Sequence, residues 1–241
     1  MKLSNNTILI TGGTSGIGLV LAHALQKLEN KVIVLGRDSG RLQEAKRAGF
    51  DIIPCDMSDP GAIEQASVDL QNRYPDLNVL FNNAGIQYNY NFTENVVSPQ
   101  KIVREININV TGQLILTQLL LPMIRNNNNG VIVNTTSGLG AFPKSDGLVY
   151  SASKAAMRNF TIGLRHKLKS TSVKVFEFIP PVTDTHMTSQ RNEQKMSPDA
   201  LVNHIIPQLQ KNKPMLTVFS MRVFLIIARF FPGLAAKIVF E

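Results

Sequence analysis

Short apolar runs rich in β-branched residues alternate along this chain with stretches whose apolar positions recur at helical spacing. The first run is Thr7 to Thr11. Gly12, Gly13, Gly16 and Gly18 crowd the turn after it, and from Gly16 a helix is predicted, with Ile17, Val20, Leu21, Ala24, Leu25 and Leu28 on its apolar side. Lys31 to Leu35 reads as a second strand, Arg41 to Ala48 as a helix closed by Gly49, and Asp51 to Pro54 as a third strand. Pro60 to Arg73 is a predicted helix, with Pro60 at its first position and Asp59 or Ser58 as its cap. Leu77 to Phe81 is the fourth strand, followed by a polar and aromatic loop over Gln87 to Val97. One long helix is expected from Gln100 to about Arg125, although Asn107, Asn109 and Gly112 are poor helix formers.

Asn126 to Asn129, with Gly130, reads as a surface turn, and Val131 to Thr135 as the fifth strand. A helix from about Val149 to Lys169 and a sixth strand over Val173 to Ile179 follow. Thr183 to Ser197 is polar and featureless, the composition of a mobile lid. Pro198 to about Gln210 is a helix, and Met215 to Phe219 reads as an edge strand. This alternation predicts an α/β fold with a doubly wound parallel sheet in a single domain over residues 1–241. Beyond it, Ser220 to Phe240 is almost wholly apolar, broken at Pro232-Gly233, and too interrupted to span a bilayer. Packing against the domain or a twin subunit is the expectation for this tail, and an interfacial anchor on an anionic membrane is its rival.

Composition narrows the class. With 241 residues, 44 % hydrophobic and 17 % charged, the chain can bury one sizeable core. Its one cysteine, Cys55, excludes an internal disulfide framework and points to a reducing, cytoplasmic setting. Met1 to Asn6 has no apolar stretch, so no signal peptide is expected there. The net charge of +8 is scattered rather than concentrated, which argues against a nucleic-acid surface and suits an anionic cofactor. His23, His166, His186 and His204 lack ligand spacing, so no metal is expected.

Chemistry enters at the strand ends. Strand, glycine turn and helix aim free backbone N–H groups at a phosphate, and the helix dipole adds positive charge there. The second strand ends in Gly36 with Arg37 next, which favours a 2′-phosphate and hence NADP over NAD; Asp38 competes from one step later. Asp56, beyond the third strand, is placed to accept from an adenine amino group or to cap the next turn. Ser137 ends a strand, while Tyr150 and Lys154 stand four apart on one helix and share a face. A lysine ammonium beside a phenol lowers its pKa, and a phenol so tuned exchanges a proton with a carbonyl or alcohol oxygen held by a serine hydroxyl.

Together these segments resemble the short-chain dehydrogenase/reductase family over nearly the whole chain. Thr11-Gly12-Gly13-Thr14-Ser15-Gly16-Ile17-Gly18 matches its Thr-Gly-x-x-x-Gly-x-Gly signature, and Asn82-Asn83-Ala84-Gly85 its Asn-Asn-Ala-Gly motif. Asn109-Val110-Thr111-Gly112 looks like the segment with the catalytic asparagine, and Ser137 with Tyr150-x-x-x-Lys154 falls where the family keeps its serine and tyrosine–lysine pair. The resemblance implies Tyr150 as general acid/base, Lys154 on the nicotinamide ribose, Ser137 on the substrate carbonyl, and Asn109 holding a water in the proton relay. It implies a cofactor lined by Gly12, Ser15, Gly16, Ile17, Gly18, Arg37, Asp56, Met57, Asn83, Ala84, Gly85, Tyr150, Lys154, Pro180 and Thr185. The expected activity is NADP-dependent interconversion of a carbonyl and an alcohol on a small-molecule substrate, by a homodimer or homotetramer.

Two departures stand out: Pro180-Pro181 replaces the usual Pro-Gly, and Ser15 stands where some NADP-preferring members carry a basic residue. The Pro180 to Thr185 segment and the tail look similar to a bacterial subgroup found beside teichoic-acid D-alanylation genes. The alternatives are a catalytically weak NADP-binding regulator or scaffold, and a membrane-surface reductase of lipid or acyl substrates.

Overall fold

The computed structural model describes residues 2–94, 96–127 and 129–240; Met1 of the N-terminal segment, Asn95 of the polar loop, Asn128 of the surface turn and Glu241 of the tail lie outside them. Among the described residues the chain runs β1 (Thr7–Thr11), α1 (Gly16–Gln26), β2 (Lys31–Gly36), α2 (Ser39–Arg47), β3 (Asp51–Pro54), α3 (Pro60–Arg73) and β4 (Leu77–Asn82). It continues with α4 (Pro99–Ile106), α5 (Gly112–Asn126), β5 (Val131–Thr135), α6 (Leu148–Lys167), β6 (Lys174–Ile179), α7 (Pro198–Gln210), β7 (Met215–Thr217), α8 (Phe219–Phe230) and α9 (Pro232–Phe240).

The strands form one sheet in the order β3-β2-β1-β4-β5-β6-β7, every neighbouring pair parallel. Strand order reverses between β1 and β4, and the crevice above the carboxyl ends at that point is where open α/β sheets take ligands. Side chains alternate across the sheet, as the pleat requires. Ile8, Ile10, Val79 and Phe81 pack under α1 and α7, while Leu9, Leu80 and Ile132 face Ile63, Leu70, Leu116 and Leu120 of α3 and α5. A buried polar strip crosses the middle: Asn82 Nδ2 donates to Asn134 Oδ1 at 2.8 Å and to Thr117 Oγ1 at 2.7 Å, and Asn134 Nδ2 donates to Thr161 Oγ1 at 3.0 Å. These cross-strand amide bonds fix the register of β4 against β5, although the buried Asn82 Oδ1 has no partner among the described residues.

Three expectations need correcting. The single helix over Gln100 to Arg125 is two helices joined by a π-helical turn over Asn107–Thr111. A Cβ on Gly112 would stand 2.2 Å from the Met57 carbonyl oxygen, so this chain crossing is too close for any other residue, and the wide turn sets it. The last strand stops at Thr217, because Phe219 already opens α8. The segment Thr183 to Ser197 is not featureless: Thr183 pairs with Met196, and His186–Thr188 is a short 3₁₀ turn. The tail packs on the domain by one face, where Arg222 donates to Gln208 Oε1 at 3.1 Å and to the Met215 carbonyl at 3.0 Å. Its other face leaves Phe219, Val223, Ile226 and Phe230 exposed, and no helix of the described residues is long and apolar enough to cross a membrane.

Candidate active site

Thr11 ends β1 with a buried hydroxyl that accepts the N–H groups of Asn83 and Ala84, both at 2.9 Å, while Asn83 Nδ2 donates to the Thr11 carbonyl at 3.1 Å. The end of β4 is thereby fastened to the glycine turn. Gly12 and Gly16 hold φ of +65° and +53°, a conformation that side chains disfavour. A Cβ on Gly18 would lie 2.3 Å from the Gly12 carbonyl oxygen. Ser15 caps α1 with extended backbone but no side-chain hydrogen bond, and the first turn holds no carboxylate. The first N–H groups of α1 are therefore free for an external anion, with the helix dipole behind them. These are the features a dinucleotide pyrophosphate requires.

Some distance along the same cavity, Gly36 closes β2 and Arg37 and Asp38 follow. The Asp38 carboxylate caps α2, accepting the Arg41 N–H at 2.8 Å. Arg37 Nη1 lies 3.7 Å from Asp56 Oδ2, and Arg104 Nη2 lies 2.7 Å from the same oxygen. Of the two roles open to Asp56, its carboxylate performs the turn-closing one, accepting from Ser58 N at 2.9 Å and Ser58 Oγ at 2.7 Å. Burial pushes this carboxyl up, but the Ser58 and Arg104 hydrogen bonds outweigh it and hold the pKa at about 2.

At the far end stand Ser137, Tyr150 and Lys154. Ser137 neighbours Tyr150, close enough for its hydroxyl to oppose the effect of burial on the phenol. Lys154 Nζ sits 5.6 Å from the Tyr150 ring centre and donates to the Thr135 carbonyl at 2.9 Å. Their environment differs from the sequence expectation in one respect. Burial is the largest influence on Tyr150 and pushes its phenol up to about 12, against the Ser137 hydroxyl and the Arg191 charge. Burial also pushes the Lys154 ammonium down to about 8. Asn109 accepts the Ile86 N–H at 2.8 Å and donates to the Ile86 carbonyl at 2.9 Å and to Ser153 Oγ at 3.0 Å. Its side chain thus holds the backbone just past Asn82-Asn83-Ala84-Gly85.

One cavity is lined by Gly12, Ser15, Gly16, Ile17, Gly18, Arg37, Asp56, Met57, Asn83, Ala84, Gly85, Tyr150, Lys154, Pro180 and Thr185 together. Ser137 and Asn109 are not among the residues that line it; Ser137 neighbours Tyr150, and Asn109 holds the Ile86 backbone. Among its other lining residues are Thr14, Arg41, Thr135, Thr136, His186 and Met187, which the sequence expectation lacks. Arg41 carried a signal there, one helical turn after Arg37; the Thr135 and Thr136 positions carried none beyond their nearness to Ser137. Among the described residues no cluster of three or more His, Cys, Asp or Glu is placed to hold a metal ion.

Residues 6–196 match the short chain dehydrogenase family. The chain belongs to that family. It is 37 % identical over 225 residues to the uncharacterized oxidoreductase DltE of Bacillus subtilis, covering 90 % of this chain and 89 % of that protein. To the serine 3-dehydrogenase of Agrobacterium fabrum it is 34 % identical over 194 residues, covering 78 % and 76 % of the two chains. A short chain dehydrogenase from Burkholderia cenocepacia, solved in complex with NADP, superposes over all of both chains with a TM-score of 0.88 at 21 % identity. The relationship to DltE agrees with the resemblance to the D-alanylation-associated subgroup, and the chain is an oxidoreductase of the short-chain dehydrogenase type.

Proposed function

We propose that this protein is an NADP-dependent reductase–dehydrogenase that interconverts a carbonyl and an alcohol with Tyr150 as general acid/base. The observation that carries the reading is the placement of Tyr150, with Lys154 Nζ 5.6 Å from its ring centre and Ser137 close by, at the end of the cavity that begins in the glycine turn. In this reading the N–H groups opening α1 hold the pyrophosphate, and Lys154 holds the nicotinamide ribose. NADPH, when bound, supplies the hydride. Tyr150 Oη holds the proton and gives it to the carbonyl oxygen, Ser137 Oγ orients that oxygen, and Lys154 in its charged form favours the phenolate that remains. The phenolate needs this help, because burial outweighs the opposing Ser137 and Arg191 influences and leaves the phenol at about 12.

NADP rather than NAD is supported by Arg37 and Arg41, which line the same end of the cavity as Asp38, whose carboxylate is partly engaged by its Oδ1 as a helix cap. The exposed apolar face of α8 supports a homo-oligomer, and the single buried Cys55 suits the cytoplasm. Tyr150→Phe is expected to abolish NADPH-dependent carbonyl reduction while leaving NADPH binding close to wild type. Unchanged turnover in that variant refutes the assignment. NADPH binding by the wild type without turnover of any of a broad carbonyl panel turns the reading towards a regulator or scaffold.

A further inference from the structure

Beside the cofactor cavity lies a second, polar cleft, and His186 and Met187 line both. The cationic group best sheltered in that cleft is Arg191, whose side chain is only 13 % exposed. Its Nη2 donates to Gln87 Oε1 at 2.5 Å, and its Nη1 lies 3.4 Å from Glu193 Oε1. Its Nε is buried and has no hydrogen-bond partner among the described residues. A guanidinium carries five N–H donors, so a neutral amide and one long contact leave most of its capacity unused. Glu193 is 46 % exposed, and an ion pair of that length and exposure compensates little of a sheltered charge.

The rest of the cleft adds positive charge. Lys101 stands over the Tyr88 ring at 5.7 Å and makes no ion pair among the described residues, and Lys144 faces Asp146 at 3.4 Å. Arg191 also lies near enough to Tyr150 for its charge to pull the phenol's acidity in the direction opposite to burial. A sheltered, under-paired guanidinium in the cleft that adjoins the cofactor cavity is the arrangement that receives a planar anion in a bidentate grip.

We propose that Arg191 anchors a carboxylate of the substrate, so that the compounds turned over are oxo acids and their hydroxy-acid partners. This rests on the carbonyl–alcohol reading given above. The competing role for Arg191 is a latch, holding the Thr183 to Ser197 segment against the loop at Gln87.

The test uses the full chain and three matched pairs: pyruvate, acetoacetate and levulinate, each against its methyl ester, with NADPH. The acid of at least one pair is expected to exceed its ester in kcat/KM by roughly tenfold or more, mainly through KM. Arg191→Met should erase that advantage, the acid losing roughly tenfold or more beyond any loss on the ester, with Arg191→Lys intermediate. NADPH binding by each variant verifies that it is folded. Esters that match or exceed their acids in all pairs overturn the proposal, as does an equal loss on acid and ester in Arg191→Met, which is the signature of a latch. Calorimetric titration of acetoacetate into NADP⁺-saturated protein separates the two readings. Binding that Arg191→Met abolishes, with no turnover of any compound, supports the carboxylate site and sinks the redox reading. Absence of both binding and turnover of the acids overturns the carboxylate site, whether or not the esters react.

Discussion

Two single side chains carry more than their position in the fold requires. In the proposed NADP reading Arg37 carries the choice between cofactors, because Gly36 contributes no carboxylate and Asp38 Oδ1 caps α2. A charge-assisted hydrogen bond is worth about 1.5–3 kcal/mol, so Arg37→Ser should weaken NADPH by roughly tenfold to a hundredfold and leave NADH nearly unchanged. Fluorescence titration of both cofactors measures this, and equal weakening of the two moves the discrimination elsewhere. Glu105 is a fully buried carboxyl whose only hydrogen bond among the described residues is from the Tyr88 N–H at 3.2 Å, and burial pushes it up to about 7 from 4.5. Between those values the folded chain keeps a proton that the unfolded chain has lost. Stability should therefore fall as pH rises from 4.5 to 7, by about 3 kcal/mol in all. Denaturant unfolding of Glu105→Gln should lose this slope; an unaltered slope assigns it to another group.

At the scale of elements, legibility followed punctuation. β1, β3, α3, β5 and α7 begin and end at the residues read from the sequence, since Gly, Pro and Asp mark their limits by local chemistry alone. α2 starts earlier than read, at Ser39, because Asp38 caps it, and β4 extends to Asn82, whose amide is used across the sheet. The π-helical turn was not legible, because it answers to the Met57 carbonyl, far away in sequence. Gly112→Ala tests that account. Helix propensity favours alanine by about 1 kcal/mol, but the added Cβ meets the Met57 oxygen at 2.2 Å, and overpacking costs about 1–3 kcal/mol. A lower urea midpoint and weaker cofactor binding are expected, since Met57 lines the cavity; a higher midpoint shows that the crossing yields.

For the molecule as a whole, motif order was readable because each motif sits at a strand's carboxyl end, and a parallel sheet brings those ends to one edge. The glycine turn, Arg37, Asn83 and Tyr150 meet there although up to 138 residues apart, from Gly12 to Tyr150. What sequence could not supply was burial and cross-chain pairing. Neither the raised pKa of Tyr150, nor Asn109 clasping the Ile86 backbone, nor the sheltered Arg191 leaves a trace in spacing, because each depends on what folds over it.

The turn after Ser137 rests under α8: a Cβ on Gly138 would touch Met221 Sδ at 2.6 Å, and Phe240 meets Phe142 edge-on at 6.4 Å. Of the described elements, these two helices leave the ribosome last. A nascent chain that already carries its glycine turn and whole sheet thus still lacks the roof beside its serine. Messages stopped by nonsense codons before Phe219 would yield polypeptides able to sequester dinucleotide while the chamber for the second reactant stands open.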